Sequence, residues 1–297
     1  MVIVPRDFGQ VLNSAMNGLA GIWRVLVWPA LLVSVPVSAA TIVAFGVTGG
    51  ADIIDLALNN PERLQTLPDE VLWELTRPFF VAIGISAILQ LIAGVFLALL
   101  SHRAVAAHIG GGQLTSGAAA RHAMRRYPTG LGAAVLVGVV VGVLFGVGAA
   151  IWLRPMASVG TPNTASVLVS LLLLAVFLGP GIWTAVSMSM TTSTIALEQR
   201  GVVASIRRSI HLVRGRWWAT AGFLALVGLL GGIAVQLIQL IALPLAVVGG
   251  GSASLMVASG LGALAQGLLV AAIAAMYTYW YVDLRARKES VSTESLG

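Results

Sequence analysis

The residues best equipped for proton transfer or metal ligation are four histidines, His102, His108, His122 and His211. Imidazole exchanges protons near neutrality and is the commonest metal ligand. A metal site needs further ligands at suitable spacing, and no acid stands near any of the four in the sequence. Cys is absent, which removes disulfides, thiolate metal sites, iron–sulfur clusters and thiol nucleophiles together. No Walker loop, dinucleotide fingerprint, G-x-S-x-G elbow or H-E-x-x-H pair occurs. Gly110-Gly-Gly112 lacks the Lys-Ser/Thr that a phosphate loop requires, so it reads as a flexible turn. The expectation is a chain without catalytic residues, metal or cofactor, its histidines lying in loops.

Arginine offers a different chemistry, the binding of phosphate and carboxylate oxygens. The chain has 16 Arg and one Lys, and its net charge is +6. Arg207, Arg208, His211 and Arg214 recur at i, i+1, i+4 and i+7, one face of a helix, while Val203, Ile206, Ile210 and Val213 form the opposite stripe. Such a helix is predicted to lie in a membrane interface, bases on headgroups and apolar stripe in the acyl boundary. Arg121, His122 and Arg125 repeat the spacing. Arg121, Arg125, Arg126, Arg207, Arg208, Arg214 and Arg216 are the candidate headgroup ligands, against the plainer reading that they only anchor the helices.

The elements that must position these residues are apolar. Hydrophobic residues make up 58% of the chain and charged ones 9%, too few to cover a soluble domain. Six runs exceed the ~20 residues that span a hydrocarbon layer: Ile22 to Val47, Phe79 to Leu100, Leu131 to Leu153, Ala165 to Thr194, Trp217 to Val247 and Ser252 to Tyr281. Only Arg24 is charged within them, close enough to an end to snorkel. The fold class expected is all-α, a polytopic membrane protein of six transmembrane helices. Asp52 to Arg77 sums to −4, whereas Ser101 to Pro128 and Glu198 to Arg216 each sum to +4. Both termini inside then leaves 14 of 17 basic residues cytoplasmic, as the positive-inside rule prefers. The N-terminal run is too long for a cleavable signal core and is kept in the mature chain. Arg-, Ala- and Gly-rich composition suggests a bacterial plasma membrane.

Val11 to Trp23 aligns with Ser205 to Trp217 without gaps, placing Gly21 on Gly215, and Ala120 to Tyr127 fits the same frame. Each segment precedes an odd-numbered span. The pattern predicts one transmembrane domain built from three elbow-plus-hairpin repeats, approximately 7–112, 113–199 and 200–289, with a tail 290–297. Parallel units of this kind would relate by a pseudo-threefold axis.

Within the spans, Gln90, Gln236, Gln239 and Gln266 are expected to hydrogen-bond between helices. Gly138, Gly142 and Gly146, and Gly228 with Gly232, are small-residue stripes expected at intramolecular seams. Pro29, Pro36, Pro180 and Pro244 should kink their spans, with Gly179-Pro-Gly181 the strongest breaker and a candidate hinge. Thr191 to Thr194 should satisfy the last carbonyls of the fourth span. In the acidic loop, Thr66 followed by Asp69 predicts a capped amphipathic helix on the outer surface.

Arg208-Ser-Ile-His-Leu-Val-Arg-Gly-Arg-Trp-Trp218, the closing Tyr281-Val-Asp-Leu-Arg-Ala-Arg-Lys-Glu289 and the opening Phe8-Gly-Gln-Val-Leu-Asn-Ser-Ala15 resemble actinobacterial six-span proteins related to the membrane domain of glycerophosphoryl diester phosphodiesterase. The resemblance implies a six-span membrane domain. In some relatives that domain precedes a catalytic barrel, which needs ~200 residues or more and finds no room in these loops. His102-Arg103 is similar to the His-Arg pair of the phosphodiesterase site, but no metal-binding carboxylates accompany it.

Three functions follow in order. The first is a non-enzymatic membrane protein that organises anionic lipid, or a membrane or cytoplasmic protein partner, through basic elbows; nucleic acid is not an expected partner. The second is a channel or permease for a small uncharged or anionic solute, which needs a continuous polar cavity lined by glutamines and hydroxyls. The third is a lipid-modifying enzyme, which needs a cleft with two catalytic groups in reach of each other.

Overall fold

Backbone amides in hydrocarbon have to be satisfied within their own segment, so long apolar runs become helices. The computed structural model describes residues 7–50, 53, 56, 60–157, 164–249 and 252–289, and they contain no strand. The helices are α1 (Phe8–Thr48), α2 (Pro61–Thr66), α3 (Asp69–Ile109), α4 (Ser116–Ala157), α5 (Thr164–Met188), α6 (Thr191–Glu198), α7 (Val202–Val213), α8 (Trp217–Gly249) and α9 (Ser252–Lys288). Six helices are long and apolar enough to cross a membrane, as the sequence predicts. The tail 290–297 and Arg154 lie outside the described residues or side chains.

Several boundaries differ from expectation. The segments before the first and third spans do not form separate elbow helices, since α1 and α4 run unbroken from Phe8 and Ser116. The start of α1 nevertheless packs against α8 and the end of α9. Phe8 meets Phe223 and Trp280 edge-on at 6.0 and 5.9 Å, while Gly18 faces the adjacent Tyr279. Helices α1 and α9 run antiparallel, with Ser34 opposite Gly267 and Ile42 opposite Gly260. Thr66 does not cap the second span. Its hydroxyl donates to Arg63 O within the short α2, and α3 starts at Asp69 and continues into the span.

Only the third elbow is a helix of its own. Gly215 takes φ +91°, a left-handed conformation that releases α7 from α8. The carbonyls freed at the end of α7 have a partner, because Lys288 Nζ donates to Arg214 O at 2.9 Å and to His211 O. Gly21, its counterpart in the alignment, stays helical.

The fourth span also breaks elsewhere than expected. α5 passes through Pro180 without interruption, with Gly181 against the Phe145 ring, and stops at Met188. The reason lies in α7. Ser209 accepts from Met190 N–H at 3.1 Å and donates to Ser187 O at 2.8 Å, replacing backbone bonds across the gap. Thr191 and Thr194 donate to Met188 O and Met190 O at 2.7 and 2.9 Å, as the hydroxyl run predicts.

Each hairpin packs on itself, α1 on α3, α4 on α5 and α8 on α9. Between hairpins, α1–α9 and α3–α4 are extensive but α5–α8 is sparse, so the packing is not threefold. The buried core lies at the arginine-rich end, around Leu99, Leu100, Val105, Met190, Ile195, Leu212, Phe223, Tyr281 and Leu284. At the other end, residues such as Val139, Val143, Leu172, Leu229 and Leu237 are exposed. Lipid tails are as apolar as leucine, so burying these side chains against protein gains little.

The glycine stripes do not form the expected seams. A Cβ at Gly138, Gly142, Gly146, Gly228 or Gly232 would meet no described atom within 4 Å. Close approach occurs instead at Gly18, Gly260 and Gly267, along α1–α9. Nor do Gln90, Gln236 and Gln266 bridge helices. Gln90, Gln236 and Gln266 have no hydrogen bond among the described residues, and the side chain of Gln239 lies outside them, as does that of Pro244.

Candidate functional site

All the odd spans start, and all the even ones end, at the same basic end. α7 lies there, anchored by one face. Ser205, Ile206, Ser209, Leu212 and Val213 are buried, and they pack against α4, α5, α6 and α9. This corrects the expectation that the apolar stripe enters the acyl layer: Ile206 and Val213 face protein, and of the stripe Val203 alone is exposed. The serines explain the rotation, because Ser209 is drawn inward to cap the α5–α6 gap.

Beneath α7 is a carboxylate that sequence reasoning did not single out. Glu198 ends α6 with its side chain 7% exposed. Its Oε1 accepts from Arg208 Nε at 2.9 Å and from Tyr281 Oη at 2.5 Å, and its Oε2 from Arg200 Nε at 2.7 Å. Arg208 also pairs with Glu289, which accepts from Arg285 Nε at 3.1 Å. Burial opposes the charge on Arg208, yet Glu198 and Glu289 hold its guanidinium above the usual range. Burial likewise opposes the charge on Glu289, but Arg208 and Arg285 hold that carboxyl below the ordinary range. The signal available in the sequence was that Glu198 is the sole acid between Glu74 and Asp283.

The candidate headgroup ligands therefore divide. Arg208 is bound internally, and Arg126 is bound to the carbonyl and side-chain oxygens of Gln199, closing α6. Arg121, Arg125, Arg207, Arg214 and Arg216 are exposed, with no partner among the described residues. Arg207 lines a shallow concavity of about 550 Å³ together with Arg200, Arg208 and His211. Val203 and Ala204 give it an apolar floor.

The histidines also depart from expectation, since all four are helical. His102 is buried on α3. Thr278 spends its proton on Ala274 O at 2.9 Å, so it accepts from His102 Nδ1–H at 2.8 Å. Ser193 lies 3.4 Å from both ring nitrogens. A serine beside a histidine suggests a nucleophile, but these groups are sealed in the core and no carboxylate orients the ring. His122 bonds Ala196 O at 2.9 Å, tying α4 to α6. Among the described residues no group of His, Asp and Glu is arranged to hold a metal.

Midway along the helices a cavity of about 40 Å³ is lined by Ser34, Gln90, Gln266 and Gly267. Its volume is on the scale of a single water molecule.

Residues 80–284 match the family described as a domain of unknown function (DUF7847). The chain belongs to that family. No curated protein and no solved structure matches it. The match takes in both serines of α7, Glu198 and Tyr281, and it ends before Arg285 and Glu289.

Proposed function

We propose that this chain is a non-enzymatic, multi-pass protein of a bacterial plasma membrane whose basic end faces the cytoplasm and organises anionic phospholipid there. The observation that carries the reading is the outer face of α7. Arg207 on α7, and Arg214 and Arg216 just past its end, have no side-chain partner among the described residues, and the inner face of α7 is locked to the bundle by Ser209 and Arg208. A fixed row of guanidiniums over an apolar floor suits a phosphate with acyl chains beside it. A protein partner with acidic residues is the other ligand of this chemistry. The resemblance of the two basic stretches to phosphodiesterase membrane domains supports the reading of a protein that handles glycerophospholipid without hydrolysing it.

The permease reading requires a continuous polar path, and the mid-membrane cavity of about 40 Å³ gives it little support. The test is native mass spectrometry of protein extracted with its surrounding lipid. Near-surface basic residues contribute about 1 kcal/mol each, so Arg207→Gln with Arg214→Gln should reduce retained phosphatidylglycerol about 30-fold relative to phosphatidylethanolamine. Unchanged lipid selectivity in the double variant overturns the proposal.

A further inference from the structure

A second basic cavity lies away from α7, where α1, the end of α3 and the start of α4 meet. It encloses about 550 Å³. Arg24, His108, Gln113 and Thr115 supply polar groups, and Ile22 and Ala104 supply apolar wall. Arg24 was expected merely to snorkel. It lies against the ring of Trp23, 5.3 Å from the centroid, and has no carboxylate partner among the described residues. No acid is among the residues that line the cavity.

The cavity wall is fixed by two bonds. Ser116 Oγ donates to Val25 O at 3.2 Å, pinning the first residue of α4 to α1. Thr115 Oγ accepts from Ala118 N–H at 3.3 Å and closes the first turn of α4. That turn brings the positive end of a long helix to the same place as the Arg24 guanidinium. A cation and a helix N-terminus thus share an acid-free pocket with an apolar side. Trp23, half exposed beside it, is the residue type that marks a membrane–water boundary.

We propose that this cavity binds a phosphate group. Arg24 is the anchoring ligand, its fork matching two phosphate oxygens, with His108, Gln113 and Thr115 as further donors around it. The apolar wall accommodates the glycerol and first methylenes of a lipid, and the same polar set accepts the phosphate of a soluble glycerophosphate. The inference is independent of the α7 reading, since the two sites share no residue.

The test uses the full chain in phosphatidylcholine nanodiscs, with two probes. Phosphatidylglycerol is doped into the disc and counted by native mass spectrometry, and sn-glycerol 3-phosphate is titrated in solution while tryptophan fluorescence is read. Arg24→Gln should weaken binding about tenfold. Arg207→Gln should leave this site intact, which separates its failure from that of the α7 site. Trp23→Phe should abolish the fluorescence response without abolishing binding. Saturable binding of the lipid alone assigns a headgroup site, and saturable binding of the soluble ester assigns a metabolite site. If Arg24→Gln does not fold, His108→Ala with Gln113→Ala, both on exposed positions, serves in its place with a smaller loss. Absence of binding by both probes, or binding unaffected in these variants, overturns the proposal.

Discussion

Replacing Glu198 by Gln keeps the volume of the side chain and removes its charge. In the parent, one carboxylate takes Arg208 through both oxygens, at 2.9 and 3.1 Å, together with Tyr281 and Arg200. Glutamine turns one acceptor into a donor that faces an arginine. Hydrogen bonds to charged groups contribute about 1.5–3 kcal/mol, and stripping one partner from a buried ion pair costs about 3–5. Two features soften the loss here. Arg208 keeps Glu289, and Arg200, with its side chain 48% exposed, rehydrates. The expected destabilisation is therefore about 2–3 kcal/mol. The assay is unfolding in mixed micelles followed by tryptophan fluorescence, with Arg208→Met and the double variant completing a cycle. The coupling between the two sites should be about 1–3 kcal/mol. Glu198→Gln within about 0.5 kcal/mol of the parent would refute the hub.

Protonation should reach the same cluster through Glu289. Its folded-state value lies below the ordinary 4.5, so its stabilisation is complete above that pH and is lost as pH falls through the depressed value; a thermal-midpoint profile from neutral to acid should flatten there in Glu289→Gln, and identical profiles would count against it. Gly18→Ala puts a methyl 1.7 Å from Tyr279 Oη and should cost about 1–3 kcal/mol, whereas Gly138→Ala enters open space and should be neutral or slightly stabilising; comparable thermal midpoints for the two would contradict the α1–α9 packing. Ser209→Ala strips a donor and an acceptor from the α5–α6 gap and should cost about 1–3 kcal/mol, with faster amide exchange at Met190 as the specific readout.

The membrane helices were legible because spanning leaves so few backbone options that length and apolarity suffice. Their ends were less so. Helix α3 continues from Leu100 to Ile109, which carries His102 from an expected loop into the core. Polarity at that boundary does not distinguish a loop from a helix whose polar groups have partners on Thr278 and Ser193. The α5–α6 break was invisible for a similar reason. Proline marks a break locally, but the gap at Met190 exists because a serine 19 residues later fills it. Of the expected basic face, Arg207, Arg208 and His211 lie on α7, while Arg214 falls just past its end and Arg208 turns inward. Which of them is spent on Glu198 depended on a tertiary partner, and no periodicity encodes that. Small-residue spacing pointed to Gly138 and Gly228, while the tight contacts fall at Gly18 and Gly267, where Tyr279 and Ser34 happen to sit opposite.

The antiparallel union of α1 with α9 bears on biogenesis. Helix α1 is translated well before α9, yet α9 is its most extensive neighbour, and α3 also packs on α9. During insertion, Gly18, Ser34 and their surroundings wait in lipid for a mate that has not yet been translated. A premature stop before Ser252 would strand five spans, those of α1, α3, α4, α5 and α8, around an unfilled slot, exposing to membrane proteases a face that α9 otherwise conceals.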